Sequence, residues 1–256
     1  MRPSTRRARE TVLTVAAPVG VFAIWEIAAR GDLIDARFWP PPSSLASAAR
    51  DLIADGSLVE DVRISLVRIL VGFLIGAIPA VALGLAMGLW WPARALLLPI
   101  ASAVYAIPKI ALVPLVLLVF GTGEAGKYAI VAISIFFLVV LNTVAGVLAI
   151  DRAYTEVARN FGAGPLDRFL TVALPGALPS VFTGLRLGLG FSLIVIVGTE
   201  FIAAENGIGR FIYDSYNRLA IRDMFVGLIV TGVLGWLLTA VVDAAERRLV
   251  PWRETA

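Results

Sequence analysis

The sequence predicts an all-α, polytopic membrane protein with six transmembrane helices and one structured cytoplasmic hairpin between the fourth and fifth. Three observations carry this. Of the 256 residues, 59% are hydrophobic and the mean hydropathy is +0.88, whereas soluble domains rarely exceed about half apolar. The apolar residues fall in runs of about twenty, the length that crosses a bilayer as a helix. Between two such runs, residues 151–175 carry Asp151, Arg152, Glu156, Arg159, Asp167 and Arg168, which bars them from hydrocarbon. No polar segment is long enough for a separate soluble domain. The chain therefore reads as one membrane domain over residues 1–256, with its core over about 62–250.

The first span is expected over Thr11–Ala29, behind Arg2, Arg6, Arg7 and Arg9. A basic start before an apolar run also fits a signal peptide. The run is long enough to span, and Arg9 sits where a signal wants an apolar residue. The arginines then belong on the cytoplasmic side. Glu26 falls near the outer end. Pro40-Pro41-Pro42 followed by Ser43-Ser44 reads as a stop and then a helix cap. Leu45, Ala48, Leu52 and Ile53 recur at helical spacing, which gives a short helix lying along the membrane.

Span two is expected over Leu66–Leu89, with Gly72-x3-Gly76 and Gly84-x3-Gly88 for close helix packing. Trp90-Trp91-Pro92-Ala93-Arg94 makes a short inner turn. Span three, Ala95–Phe120, is interrupted by Pro99, Pro108 and Pro114 and contains Lys109. A charge at that depth costs about 2.5–3.5 kcal/mol on insertion scales, so Lys109 should face the bundle interior or a pore.

Gly121, Gly126 and Lys127 match the G-x4-G-K skeleton of a phosphate-binding loop, but Tyr128 replaces the Ser or Thr that would hold magnesium. The flanks are membrane spans, so the stretch reads as a tight external turn. The chain then has no nucleotide site of its own. Span four, Tyr128–Ala149, carries Asn142. Span five is expected over Val181–Ala203, with Pro179 and Arg186 at its inner end and Glu200 near its outer end. Glu200 reads either as a pore-facing group or as a packing charge paired with a base such as Lys109. Residues 204–223 form an outer loop with a surface or re-entrant helix. Span six, Met224–Val242, leads to Glu246, Arg247, Arg248 and Arg253 in the cytoplasm, so both termini lie inside.

In the hairpin, a first helix is expected over Arg152–Phe161, with Ala153, Val157 and Phe161 along one stripe. Gly162 and Gly164 close it in the left-handed conformation. Pro165 opens a second helix, which carries Leu166, Phe169 and Leu170 on an apolar face and is stopped by Pro175.

Composition narrows the function. With no histidine and no cysteine, the usual base near neutral pH and the commonest metal ligands are missing. No catalytic residue, metal ligand or cofactor is assigned, and the chain reads as not an enzyme. A net charge of +3 is too small and too dispersed to suggest nucleic acid, and none is expected as a partner.

The hairpin resembles the EAA loop of ABC-transporter permeases: Glu156-Val157-Ala158, then Gly162, Val172 and Leu174-Pro175 at the family's spacing. Glu156, Ala158, Gly162, Leu174 and Pro175 match, while Val157 and Val172 are apolar replacements. Phe38–Ser43, the stretch Asp55-Gly56-Ser57-Leu58 with Ser65-Leu66-Val67-Arg68, and Ile107–Leu115 are similar to the nitrate, sulfonate and taurine subgroup. The resemblance implies the permease subunit of a binding-protein-dependent importer in a bacterial inner membrane. Its partners would be two ATPase subunits, an extracytoplasmic solute-binding protein, a second permease copy and membrane lipid. Glu156, Arg159, Gly162, Leu166 and Phe169, with Ala158, Leu174 and Pro175, would couple to the ATPase. Lys109, Asn142 and Glu200 would border the translocation path. Small anions of the subgroup are the first substrate class, with pyrimidine-type precursors and aromatic acids as others. An ATP-independent carrier or channel is the alternative function.

Overall fold

A computed structural model describes the backbone of residues 3–252 and the side chains of residues 16–252. The described chain is helical with no strand among the described residues. The charges of Arg2, Arg6, Arg7, Arg9 and Arg253 lie outside the described side chains. Two compact units separate, one comprising residues up to Asp61 with Phe211–Val230, the other Val62–Arg210 with residues from Thr231 onward.

In the first unit α1 (Pro3–Arg30) precedes α2 (Pro42–Ala54). The span expected over Thr11–Ala29 lies on α1, partly beyond the described side chains. The serines expected to cap α2 do not: Pro41 is the capping residue and offers no side-chain bond. Glu26 of α1 performs that task instead, accepting the Ser43 N–H at 2.9 Å and the Ser43 hydroxyl at 2.8 Å. A proline cap has no side-chain oxygen, so the first-turn donors take a carboxylate from elsewhere. Trp25, Trp39 and Phe225 pack together, with ring centroids 5.5–6.5 Å apart.

The helix of span two, α3 (Ser57–Leu89), is longer than the apolar pattern suggests. Its 33 residues reach about 50 Å at 1.5 Å per residue. Asp55 starts it: its carboxylate accepts the N–H and the hydroxyl of Ser57 at 2.9 and 2.6 Å. Those bonds hold the Asp55 carboxyl below its ordinary range.

In the second unit α6 (Glu124–Leu148) lies at the centre, with Ile130, Ile135, Val139 and Val140 wholly buried. The glycines of α3 face it. A Cβ on Gly76, Gly84 or Gly88 would come within 2.5–2.6 Å of Ala132, Thr143 or Val147. This is the close approach expected from the paired glycines: in lipid, helix association rests on contact rather than on escape from water. On its other side α6 meets α9 (Leu174–Ala203), where Gly146 backs onto Ser180 and Gly184 onto Asn142.

Span three is broken. α4 (Trp91–Tyr105) and the segment Lys109–Phe120, which ends in α5 (Val113–Phe120), form a pair bent by 89°. Pro108 makes the break, because proline drives its predecessor out of the helical region. Pro99 is carried inside α4, and Pro114 sits harmlessly in the first turn of α5. The turn after α5 is only Gly121–Gly123, and Lys127 is already within α6. A Cβ on Gly126 would stand 2.1 Å from the Gly121 carbonyl, so the glycine skeleton that imitates a phosphate loop serves a tight turn.

After α9 come α10 (Ile208–Asn217) and α11 (Ile221–Leu249). Arg186 of α9 is ion-paired with Asp243 and Glu246 of α11. Among the described residues, four helices are long and apolar enough to cross a membrane, and the bent pair would make a fifth.

Candidate functional site in the hairpin and at the far end of α9

Asp151 begins the hairpin by accepting the Ala153 N–H at 2.9 Å, which caps α7 (Arg152–Asn160). α7 ends in two 3.0 Å bonds, Ala163 N–H to Ala158 O and Gly162 N–H to Arg159 O. This pair is the Schellman closure, which needs a left-handed residue, and Gly162 supplies it at φ +80°. Gly164 does not share the role expected of it. It is extended, and its N–H donates to the Asp167 carboxylate at 3.1 Å.

Pro165 opens α8 (Pro165–Arg168) as expected. Pro175, expected as a stop, is not one, and neither is Pro179. A widened π turn over Phe169–Ala173 follows α8, its last bond running from the Leu174 N–H back to Phe169 O. Pro175 then falls in the first turn of α9, where no N–H is required. One helical run of 39 residues, Pro165–Ala203, therefore joins the hairpin to the membrane helix.

No residue of α7 is buried. Phe161 is 87% exposed and Tyr154, Val157 and Leu166 are 54–67% exposed, while Glu156, Arg159 and Gly162 are also exposed. Ala158, Phe169, Leu174 and Pro175 are half-buried at the hairpin's base. Tyr154, which sequence reasoning passed over, stands one turn before Val157 and two before Phe161. A groove of about 680 Å³ beside them is lined by Ile150, Tyr154, Val157, Val172, Pro175 and Trp252. A second, of about 410 Å³, runs past Arg152, Pro165 and Phe169.

The residues expected along a path have partners within the chain. The Lys109 ammonium, 5% exposed, donates to the carbonyls of Val104, Tyr105 and Ile107 at 2.7, 3.0 and 2.8 Å. These carbonyls lie where α4 ends, Val104 O also accepting the Ile107 N–H, and a cation there meets the negative end of the helix dipole. Asn142 donates to Leu138 O at 2.8 Å where α6 crosses α9.

Glu200 is wholly buried, and its base is Arg68, not the Lys109 considered from the sequence. Arg68 Nη1 lies 2.7 Å from Glu200 Oε1. Glu200 also accepts the Ser65 hydroxyl at 2.8 Å and the Gly209 N–H at 2.8 Å. Arg68 reaches Glu124 at 2.7 Å, and Lys127 joins that carboxylate at 3.0 Å. Arg68 was legible as a charge within the span beginning at Leu66, by the rule that flagged Lys109.

A family model described as binding-protein-dependent transport system inner membrane component matches residues 72–255. The taurine transport system permease protein of Escherichia coli strain K12 is 31% identical over 249 residues, covering 95% of this chain and 90% of that protein. A putative aliphatic sulfonates transport permease protein from the same strain is 34% identical over 235 residues, or 92% and 89%. The nitrate import permease protein of Leptolyngbya laminosa is 32% identical over 252 residues, or 95% and 89%. Among solved structures, a chain of the MetNI methionine ABC transporter in an inward-facing conformation superposes with TM-score 0.65 at 20% identity, covering 75% of this chain and 96% of that one.

Proposed function

The chain belongs to the family of binding-protein-dependent transport system inner membrane components, and from that premise we propose how this permease subunit of an ABC importer works. The hairpin at 151–175 docks on the ATPase. Its exposed Phe161, with Tyr154, Val157 and Leu166, supplies apolar anchors, and Glu156 and Arg159 supply polar contacts around them. Gly162 sets the turn that aims α7. Ala158, Phe169, Leu174 and Pro175 seat the hairpin on α9. The observation that carries this reading is α7 itself, which has no buried residue and is apolar on one stripe, and which the turn at Gly162 joins to a helical run unbroken from Pro165 to Ala203.

Two such ATPase subunits, an extracytoplasmic solute-binding protein and a second copy of this chain complete the complex. Both termini and the hairpin lie in the cytoplasm, and the loop before α10 lies outside. ATP chemistry resides on the separate subunits. Closure of the ATPases moves the hairpins, and the membrane helices switch access to the solute path from one side to the other. Lys109, Asn142 and Glu200 border that path by holding its walls in shape: the first closes the bend of span three, the second the crossing of α6 and α9, the third the outer end of α9. The solute is a small anion of the nitrate, sulfonate or taurine type, in keeping with the relatives named for those substrates.

Affinity capture of the tagged protein from mild detergent, with mass spectrometry of what accompanies it, tests the proposal. An ATPase subunit that co-purifies with the wild-type chain and is lost when Phe161 and Glu156 are changed supports it. A folded, abundant chain that retains its ATPase after both changes sinks the docking role of the hairpin.

A further inference from the structure

Nothing in the coupling of hairpin to ATPase requires the buried cluster at the opposite end of α9, yet every nitrogen of the Arg68 guanidinium is engaged there. Nε and Nη2 donate to Glu124 at 2.9 and 2.7 Å. Nη1 donates to Glu200 and to the Asn206 carbonyl, each at 2.7 Å. Nη2 also reaches the Asn206 side-chain oxygen at 2.7 Å. One side chain of α3 thus grips α6, α9 and the loop that leads to α10.

The first turn of α10 is seated on α9 by the same group of residues. Ser65 donates to Glu200 at 2.8 Å and accepts the Ile208 N–H at 2.9 Å, and the Gly209 N–H donates to Glu200 at 2.8 Å. A Cβ on Gly209 would fall 2.4 Å from the Val197 carbonyl, so the loop's backbone lies directly against that of α9. Two cations, Arg68 and Lys127, balance two carboxylates, Glu124 and Glu200. With charge balanced and the five N–H donors of Arg68 filled, no bond of Arg68 can slip without stranding a buried guanidinium donor away from water.

The other end of α9 is the hairpin. The helical run Pro165–Ala203 is 39 residues long, about 58 Å at 1.5 Å per residue. We propose that Arg68 is the positioning residue of an outer latch that binds the loop Ala204–Gly207 and the first turn of α10 to α9. A displacement of the hairpin is thereby delivered to the outer surface, and a partner seated on the outer surface is felt at the hairpin. The proposal rests on the reading of the hairpin as the ATPase side, and its test separates the two.

The chain has no cysteine, so a single reporter cysteine is the one thiol on it, and labelling is read on this chain after the subunits are separated. In the reconstituted complex with its ATPase subunits, cysteine is placed singly at Glu205, exposed in the outer loop, and at Thr155, exposed on α7. Maleimide labelling rates are compared with and without ATP and vanadate. With Arg68 intact, trapping changes the rate several-fold at both positions. Arg68→Lys keeps the charge but not the fork, and in it the change at Glu205→Cys is lost while that at Thr155→Cys persists. Ser65→Ala, which withdraws one donor and one acceptor from the latch, gives the same loss and serves where Arg68→Lys does not assemble. An undiminished response at Glu205→Cys in the variant that assembles overturns the latch. No response at Thr155→Cys with Arg68 intact overturns the ATPase-side reading instead.

Discussion

Arg68 Nη1 stands 2.7 Å from Glu200 Oε1 although 132 residues separate them in the chain, and both side chains are almost wholly shut away from solvent. A buried pair of this kind is defined less by its attraction than by what either partner would suffer alone. Arg68→Met should therefore destabilise the protein by about 3–5 kcal/mol, the cost of an abandoned buried charge. Replacing both residues, as Arg68→Met with Glu200→Leu, should cost less than the two single changes added together. Detergent melting of the four proteins checks this. Additive losses would mean that the two charges do not depend on each other.

Gly84 of α3 and Gly232 of α11 should behave oppositely. A Cβ on Gly84 would meet Thr143 Cβ at 2.5 Å, whereas one on Gly232 would meet nothing within 4 Å. Gly84→Leu should abolish recovery of monodisperse protein. Gly232→Ala should be neutral or stabilising by up to about 1 kcal/mol, from helix propensity. Size-exclusion profiles and melting temperatures report both. Weakened self-association in Gly232→Ala, with stability retained, would place that open face at the seam between two copies.

Lys109→Met removes the donor shared by the carbonyls of Val104, Tyr105 and Ile107. Val104 O keeps the Ile107 N–H, but withdrawing the ammonium from the carbonyls of Tyr105 and Ile107 costs about 1–3 kcal/mol, so the variant should melt earlier even in the absence of solute. If Lys109 served only to attract an anion, uptake would fall while the melting temperature stayed unchanged.

These outcomes bear on what the sequence made legible. Much of the hairpin could be read because its signals are local: Gly162 as a left-handed closure and Pro165 as a first-turn residue act within a few residues of their own position, whereas the Asp151 cap emerged only in the structure. The continuity of Pro165–Ala203 was hidden, because Pro175 and Pro179 look like stops until the π turn before them is seen. The Arg68–Glu200 pair was hidden for another reason. Each charge is visible on its own span, but which cation meets which carboxylate depends on how α3, α6 and α9 pack, and Lys109 was an equally good candidate from sequence. The cap of α2 by Glu26 is the same kind of long-range substitution, supplied where Pro41 has no side-chain oxygen of its own.

Gly162→Val should fold and insert but misdirect α7. A branched residue at φ +80° bears about 1–3 kcal/mol of strain, which the loop relieves by changing course. ATP hydrolysis by the reconstituted complex should continue while uptake of solute is lost. Normal uptake by this variant would contradict the lever role of the hairpin.

The central claim is that the stripe Tyr154–Val157–Phe161 touches the ATPase. A photo-crosslinking amino acid placed singly at Phe161, at Leu166 and at Glu205 of the membrane-embedded protein tests it most directly. Phe161→Ser should leave stability within about 0.5 kcal/mol, as for other exposed positions, so the site tolerates the probe. The account predicts an adduct of this chain with the ATPase from positions 161 and 166 and none from 205. An absence of adduct at 161 and 166 in a complex that hydrolyses ATP, or an equal yield at 205, would contradict it.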